Sequence, residues 1–148
     1  MVSNWEIAGI TVMQAGLPFT VTASGSPTNT GAGGRADLVS GTDPVLEERT
    51  IQRWFNTAAF TFPTAFNWGN VGRNTLTGPP VYNFDFVASK KFPFAESRHL
   101  LFRAEFFNAF NTPQFTIPAS TIGVTGVATI SATQRASRQI QFALKVVW

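Results

Sequence analysis

Polar and apolar side chains alternate through the closing stretch "RQIQFALKVVW", Arg138–Trp148. Ile140, Phe142, Leu144, Val146 and Trp148 fall at every second position, and Gln139, Gln141, Ala143, Lys145 and Val147 lie between them. Side chains two apart share one face of a β-strand. The stretch therefore predicts a strand with one wholly apolar face and one mostly polar face. The apolar face either packs on a soluble core or meets lipid.

Three further segments carry the same rhythm. In "NWEIAGITVMQ" (Asn4–Gln14), Trp5, Ile7, Thr11 and Met13 oppose Glu6, Ala8, Ile10, Val12 and Gln14, a weak alternation that "AGLPFTVTASG" could extend past Pro18. In "YNFDFVASKKF" (Tyr82–Phe92), Tyr82, Phe84, Phe86 and Ala88 oppose Asn83, Asp85, Val87 and Ser89. In "HLLFRAEFFNAFN" (His99–Asn111), Phe102, Ala104, Phe106 and Phe110 oppose Arg103 and Glu105. Leu100, Ala104, Phe107 and Asn111 are also at helical spacing. Strand is preferred there, because strands flank the segment and the connector "PFAESR" before it is hairpin-sized.

Between these strands, connectors run long, short, long: about 67, 6 and 26 residues, with boundaries good to ±2–4. "SPTNTGAGGRADLVSGTDP" is turn-rich and expected to be mobile, "VLEERTIQRWFNTAAF" could hold a short helix, and a short strand is expected around Gly126–Ile130. Outer-membrane barrels alternate short periplasmic turns with long outer loops in this way. A strand of about eleven residues at ~3.4 Å rise is ~37 Å long. Tilted by about 40° it spans ~28 Å, close to the ~25 Å apolar band of such barrels. Trp148, Phe92 and Phe94 would then lie near one membrane interface, and Tyr82 and Phe110 near the other.

Composition agrees with this reading. Charged residues make up 13% of the chain, about half of the ~25% usual in globular domains. Aromatics reach 14%, with fifteen Phe. The net charge of +3 comes from scattered basic residues, only Lys90 and Lys91 being adjacent, so no nucleic-acid partner is expected. No disulfide or thiolate chemistry is available, since cysteine is absent. No apolar run approaches the length of a membrane helix. No signal-peptide pattern opens the sequence, which for an exported protein predicts a missing start.

Candidate chemistry is sparse. Asp85, Arg103, Glu105, Gln141 and Lys145 would point into a barrel lumen, or equally line the solvated face of a soluble sheet. The single histidine, His99, is expected to be structural, because metal sites want several ligands. "GAGG" and "GNVGRN" lack the dinucleotide and Walker patterns and read as turns. No metal, cofactor or catalytic residue is expected, and no enzyme: nucleophile, base and orienter are missing as a set. The first long loop carries Arg35, Asp37, Asp43, Glu47, Glu48, Arg49, Arg53 and Arg73 with Trp54 and Trp68. Exposed loops of that kind can bind ligands, but no substrate follows from them.

The chain resembles the C-terminal part of Oar-like TonB-dependent receptors. The likeness rests on "NWEIAGITVMQAGLPFTVT", "WFNTAAF", "GNVGRNTLTGPPVYNFDF" with "KKFPF", and "LLFRAEFFNAFNTPQF" followed by "RQIQFALKVVW", in that order and at similar spacing. Trp148 departs from the commoner Phe while keeping an aromatic. The family's carboxypeptidase-regulatory-like domain, its plug and most of its barrel strands have no counterpart here.

The resemblance implies an all-β fold: an antiparallel meander of about four long strands from the C-terminal end of a transmembrane barrel in the bacterial outer membrane. Residues 1–148 would be one incomplete-barrel segment with outer loops at about 15–81 and 112–137. Four strands cannot close a barrel, so a fragment of a larger receptor is expected and Met1 could be internal. Ile140, Phe142, Leu144, Val146 and Trp148 would form the strand that the barrel assembly machinery recognises. The implied partners are that machinery, outer-membrane lipid, the rest of the barrel and plug, and TonB through the absent N-terminal part. The alternative is a soluble all-β binding module, possibly for carbohydrate.

Overall fold

A computed structural model describes residues 3–31 and 33–148. Met1, Val2 and Ala32 lie outside the described residues, and with them the expectation about Met1 and one position of "GAGG". In chain order the strands are β1 (Trp5–Gln14), β2 (Pro18–Phe19), β3 (Thr22–Ala23), β4 (Gly34–Arg35), β5 (Asp37–Leu38), β6 (Phe60–Thr61), β7 (Leu76–Thr77), β8 (Val81–Pro93), β9 (His99–Phe107), β10 (Thr121–Ile122) and β11 (Gln139–Val147). The described residues contain no α-helix; one 3-10 turn covers Thr57–Ala59. The all-β fold is as expected. The chain divides into two compact units.

The first unit, residues 1–14, 81–114 and 134–148, is built on a four-stranded antiparallel meander in the order β1-β8-β9-β11. Its strands run to ten, thirteen, nine and nine residues, at or above the ~9–11 that cross a bilayer when tilted. Register pairs Trp5 with Lys90, Phe86 with Phe106, and Phe142 with Ala104. Residues 94–98 close the β8–β9 hairpin, with the Phe94 and Ala95 N–H groups both donating to the Arg98 carbonyl. β1 and β11 do not pair with each other, so the sheet is open.

Two boundaries differ from expectation. β1 stops at Gln14 and does not continue past Pro18, which belongs to a separate two-stranded pair with β7. Past Gln14 the chain pairs instead with residues 76–78: the Gly78 N–H donates to the Leu17 carbonyl, so close that a Cβ at Gly16 would overlap the Gly78 carbonyl. β9 stops at Phe107 and does not reach Asn111. Asn108 and Asn111 adopt left-handed φ of 50° and 52°, a conformation that asparagine tolerates and that ends a strand.

The second unit, residues 15–80 and 115–133, was expected to be two loops, one of them mobile, but it is packed. β3 pairs antiparallel with β4 and parallel with β10, so the two tracts share one small sheet. β5 pairs with β6, and the Val71 N–H donates to the Ala36 carbonyl alongside. Phe19, Val21, Ala23, Ala36, Phe55, Ala59, Phe60, Val71, Leu76, Ile122 and Ala128 form one buried cluster. Phe55 sits at its centre, 5.9 Å from the Phe19 ring and 5.6 Å, edge-on, from Phe60.

The helix considered within "VLEERTIQRWFNTAAF" shrinks to the 3-10 turn, where the Asn56 Oδ1 accepts from the Ala58 N–H at 3.2 Å. The strand expected at Gly126–Ile130 falls instead at Thr121–Ile122. Gly126 and Ala128 both have left-handed φ, which no strand accommodates.

Phe55→Ala is expected to destabilise the second unit by about 3–5 kcal/mol through lost burial and the cavity left behind. Hydrogen exchange in micelles checks this: amide protection should fall at Val21, Ala36 and Ile122.

Candidate functional site

The two faces of the four-stranded sheet follow from register. One face carries Trp5, Ile7, Thr11 and Met13 from β1, Tyr82, Phe84, Phe86, Ala88, Lys90 and Phe92 from β8, Leu100, Phe102, Ala104 and Phe106 from β9, and Ile140, Phe142, Leu144 and Val146 from β11. This face is not sealed under another layer. Phe142 is 66% exposed and Leu144 67%, and Ile7, Met13, Ile140 and Val146 are exposed too. An apolar surface this continuous is beyond the scattered exposed residues normal for a soluble protein.

Aromatic pairs tie the strands across that face. Phe86 lies 5.8 Å from Phe106, Phe102 stacks on Phe142 at 6.1 Å, and Phe84 meets Phe110 edge-on at 5.1 Å. Such cross-strand pairs add to sheet stability beyond their area. One cation sits among the apolar residues. The Lys90 ammonium lies 4.8 Å from the Trp5 ring and 5.1 Å from Phe92, so its charge rests on two ring faces near one end of the sheet.

The opposite face carries Glu6, Asn83, Asp85, Ser89, Lys91, Arg103, Glu105, Gln141 and Lys145, with Ala8, Ile10, Val12, Val87 and Leu101 among them. Arg103 and Glu105 are two apart on β9 and join in an ion pair of 2.6 Å. Gln141 is the cross-strand partner of Glu105, and Lys145 that of Leu101. Glu6, Ala8, Val87, Ser89, Lys91, Leu101 and Arg103 line an open depression of about 350 Å³ on this face.

Asp85 has a different job from its neighbours. Its Oδ1 accepts from the Asn83 Nδ2 and from the Asn108 N–H, both at 2.9 Å. Asn108 in turn accepts the Thr112 N–H at 2.9 Å and donates to the Thr112 carbonyl at 3.1 Å. Gln114 donates to the Asn83 Oδ1 at 2.9 Å. Asn83, Asn108 and Gln114 are buried, so these bonds act where water does not compete. The network pins the turn after β9 to β8. Sequence reasoning missed it, because the amides of "FFNAFNTPQF" and Asn83 are brought together only by the fold; within it the Gln114 Oε1 stays buried without a partner among the described residues.

The long-loop residues separate into groups. Asp37 accepts the Asn70 N–H at 2.7 Å, and Asp43 the Val45 N–H at 2.8 Å. Trp54 donates its indole N–H to the Thr77 carbonyl at 2.9 Å and carries the Arg49 guanidinium 5.6 Å from its ring. Asp43, Glu47, Glu48 and Arg53 border one open cavity, and Arg35, Arg73 and Trp68 another. His99 pairs with Val147 and Pro93 at one end of the sheet. Among the described residues, no three His, Cys, Asp or Glu side chains could hold a metal ion.

An open sheet of bilayer-length strands with one exposed apolar face is the architecture of a barrel wall. The family model described as an outer membrane beta barrel domain matches residues 1–141. The chain belongs to that family. It is accordingly an outer-membrane β-barrel protein of the bacterial outer membrane. No curated protein and no solved structure matches it.

In this barrel protein the Asp85 network should be worth more than a surface hydrogen bond. Asp85→Ala strands the Asn83 amide and the Asn108 N–H, and is expected to lower stability by about 2 kcal/mol. The urea midpoint in micelles reads the loss, and Gln141→Ala, which breaks no such bond, should leave it nearly unchanged.

Proposed function

We propose that the four strands are a section of the transmembrane wall of an Oar-like TonB-dependent receptor, an outer-membrane transporter for a large substrate. The apolar face left exposed along all four strands carries this reading. The words shared with that family, in the same order, support the finer assignment. Barrel strands alternate apolar-out and polar-in, so Ile140, Phe142 and Leu144 meet lipid, while Asp85, Arg103, Glu105, Gln141 and Lys145 face the lumen.

Connectivity supports one orientation. Gln14, Val81, Phe107 and Gln139 lie at one end of the sheet, and Trp5, Pro93, His99 and Val147 at the other. With the short 94–98 turn on the periplasmic side, both long tracts leave from the outer end. Among the described residues β1 and β11 each keep one edge without a partner strand. In hydrocarbon an unpaired backbone group costs several kcal/mol, so other strands of the receptor must pair there.

In this reading the segment does no catalysis. It completes the wall, and β11 with Trp148 presents the strand recognised by the barrel assembly machinery. Energy coupling belongs to a plug and TonB contact elsewhere in the receptor. A soluble binding module would leave Phe142 and Leu144, both about two-thirds exposed, in water. Crosslinking in cells tests the receptor assignment: the whole protein should trap TonB, and a barrel that never does so is not a TonB-dependent receptor.

Phe142→Arg should destabilise the membrane-inserted protein by about 2–4 kcal/mol if residue 142 lies at mid-depth. Ala143→Arg, on the opposite face, should have a much smaller effect in the same micelle titration. Trp148→Ala is expected to slow assembly, seen as a lasting unfolded band in heat-modifiability gels. Normal mobility at wild-type abundance would argue against the signal role.

A further inference from the structure

The second unit carries a cavity that the wall reading does not use. It measures about 550 Å³ and is lined by Thr20, Gly33, Arg35, Trp68, Arg73 and Asn74. That volume is within the usual range of small-molecule sites, roughly 300–1,000 Å³. We propose that this cavity binds an acidic saccharide, with Arg35 and Arg73 holding its oxyanion and Trp68 covering a flat sugar face.

The cavity is built by contacts that leave the side chains of Arg35, Trp68 and Arg73 free, while Thr20 and Asn74 bond to each other. A Cβ at Gly69 would overlap the Arg35 carbonyl, so only glycine lets this strand of chain lie so close, and Trp68 is placed beside Arg35. The next residues are clasped to the β4–β5 stretch. The Asn70 N–H donates to Asp37, the Leu38 N–H to the Asn70 Oδ1 at 2.7 Å, and the Val71 N–H to Ala36. On the far side, the Asn74 N–H donates to the Thr20 hydroxyl at 2.8 Å, and Asn74 holds a left-handed φ of 55°. The backbone next to Arg73 is thereby held, and its side chain lines the cavity.

Charge selects the ligand's sign. Neither guanidinium has an ion pair or a hydrogen bond among the described residues, and no Asp or Glu lines the cavity. Asp37, the nearest acid in sequence to Arg35, already accepts the Asn70 N–H. Two uncompensated guanidinium groups on one cavity favour an oxyanion, which each can grip through paired N–H donors.

Trp68 selects the shape. It is 61% exposed, whereas Trp54 in the same unit is committed to the Thr77 carbonyl and to Arg49. A free indole beside unpaired arginines provides a flat apolar surface next to positive charge. The Thr20 hydroxyl is engaged by Asn74, and the Asn74 Nδ2 adds N–H donors suited to sugar hydroxyls. A uronic acid offers all three: a carboxylate, a face of C–H bonds and a ring of hydroxyls. The proposal does not depend on whether the barrel transports anything.

Isothermal titration calorimetry on the whole protein, purified from outer membranes in detergent, tests it. Trigalacturonate should bind saturably and at least about tenfold more tightly than neutral maltotriose. Arg35→Gln, Arg73→Gln and Trp68→Ala should each weaken binding by about tenfold or more, as expected for losing a charge-assisted contact. Arg73→Lys, which keeps the charge and loses the fork, should fall between. Arg98→Gln in the β8–β9 turn should change nothing, and far-UV circular dichroism should match wild type in every variant compared. Four results would overturn the proposal: equal affinity for maltotriose, equal affinity for inorganic phosphate, tighter binding of AMP, or binding of lipopolysaccharide without trigalacturonate.

Discussion

A peptide group inside hydrocarbon has no water to bond, so its N–H and C=O must find each other. Everything in the first unit answers to that condition. Its strands are long, antiparallel and in continuous register, so backbone bonds run unbroken from Trp5–Gln14 through Gln139–Val147. Once strands are forced into a ladder, side chains must alternate. Lipid then accepts what water rejects on one face: Ile7, Phe142 and Leu144 remain uncovered because, in a barrel wall, hydrocarbon takes the place of a second layer. The two open edges are the same condition seen from the side, since a sheet that ends in lipid is incomplete until something pairs with it.

The second unit obeys the opposite rule. Its strands are only two residues long, too short to define a face, and its apolar residues gather inward around Phe55. That is the solution for a chain in water, where burial of apolar area is the driving force. One sequence thus uses phenylalanine in two ways. Phe102 and Phe142 stack across strands on an open face, whereas Phe19, Phe55 and Phe60 close on one another in a core.

Those two rules explain what was legible in the sequence. The wall was readable because period two persists over nine or more residues in β8, β9 and β11. Only where a local feature outweighed the period did the reading slip. The left-handed Asn108 ended β9 early, and pairing of Pro18–Phe19 with Leu76–Thr77 took the chain out of β1. The core of the second unit was illegible for a physical reason. Phe19, Phe55, Val71 and Ile122 are far apart in sequence and follow no period, so turn-rich composition suggested mobility where distant contacts impose order. The buried amides of Asn83, Asn108 and Gln114 were hidden likewise, since nothing in their spacing tells a buried network from a polar surface.

The site residues named from sequence divide along the same line. Arg103, Glu105, Gln141 and Lys145 share one face of the sheet, as strand periodicity alone required. Asp85 shares it too, but the structure gives it two partners that periodicity could not supply, the Asn83 side-chain amide and the Asn108 backbone N–H. Among the loop residues, identity was no guide at all: Trp54 and Trp68 are the same side chain in the same turn-rich tract. Trp54 has its indole N–H satisfied and a cation against its ring, so it stabilises the fold. Trp68 has neither and stands beside two arginines in the same condition. Recognition capacity in this unit therefore lies with the groups that folding left unpaired, and they are unpaired because Gly69 and the Thr20–Asn74 bond fix the backbone around them without using their side chains.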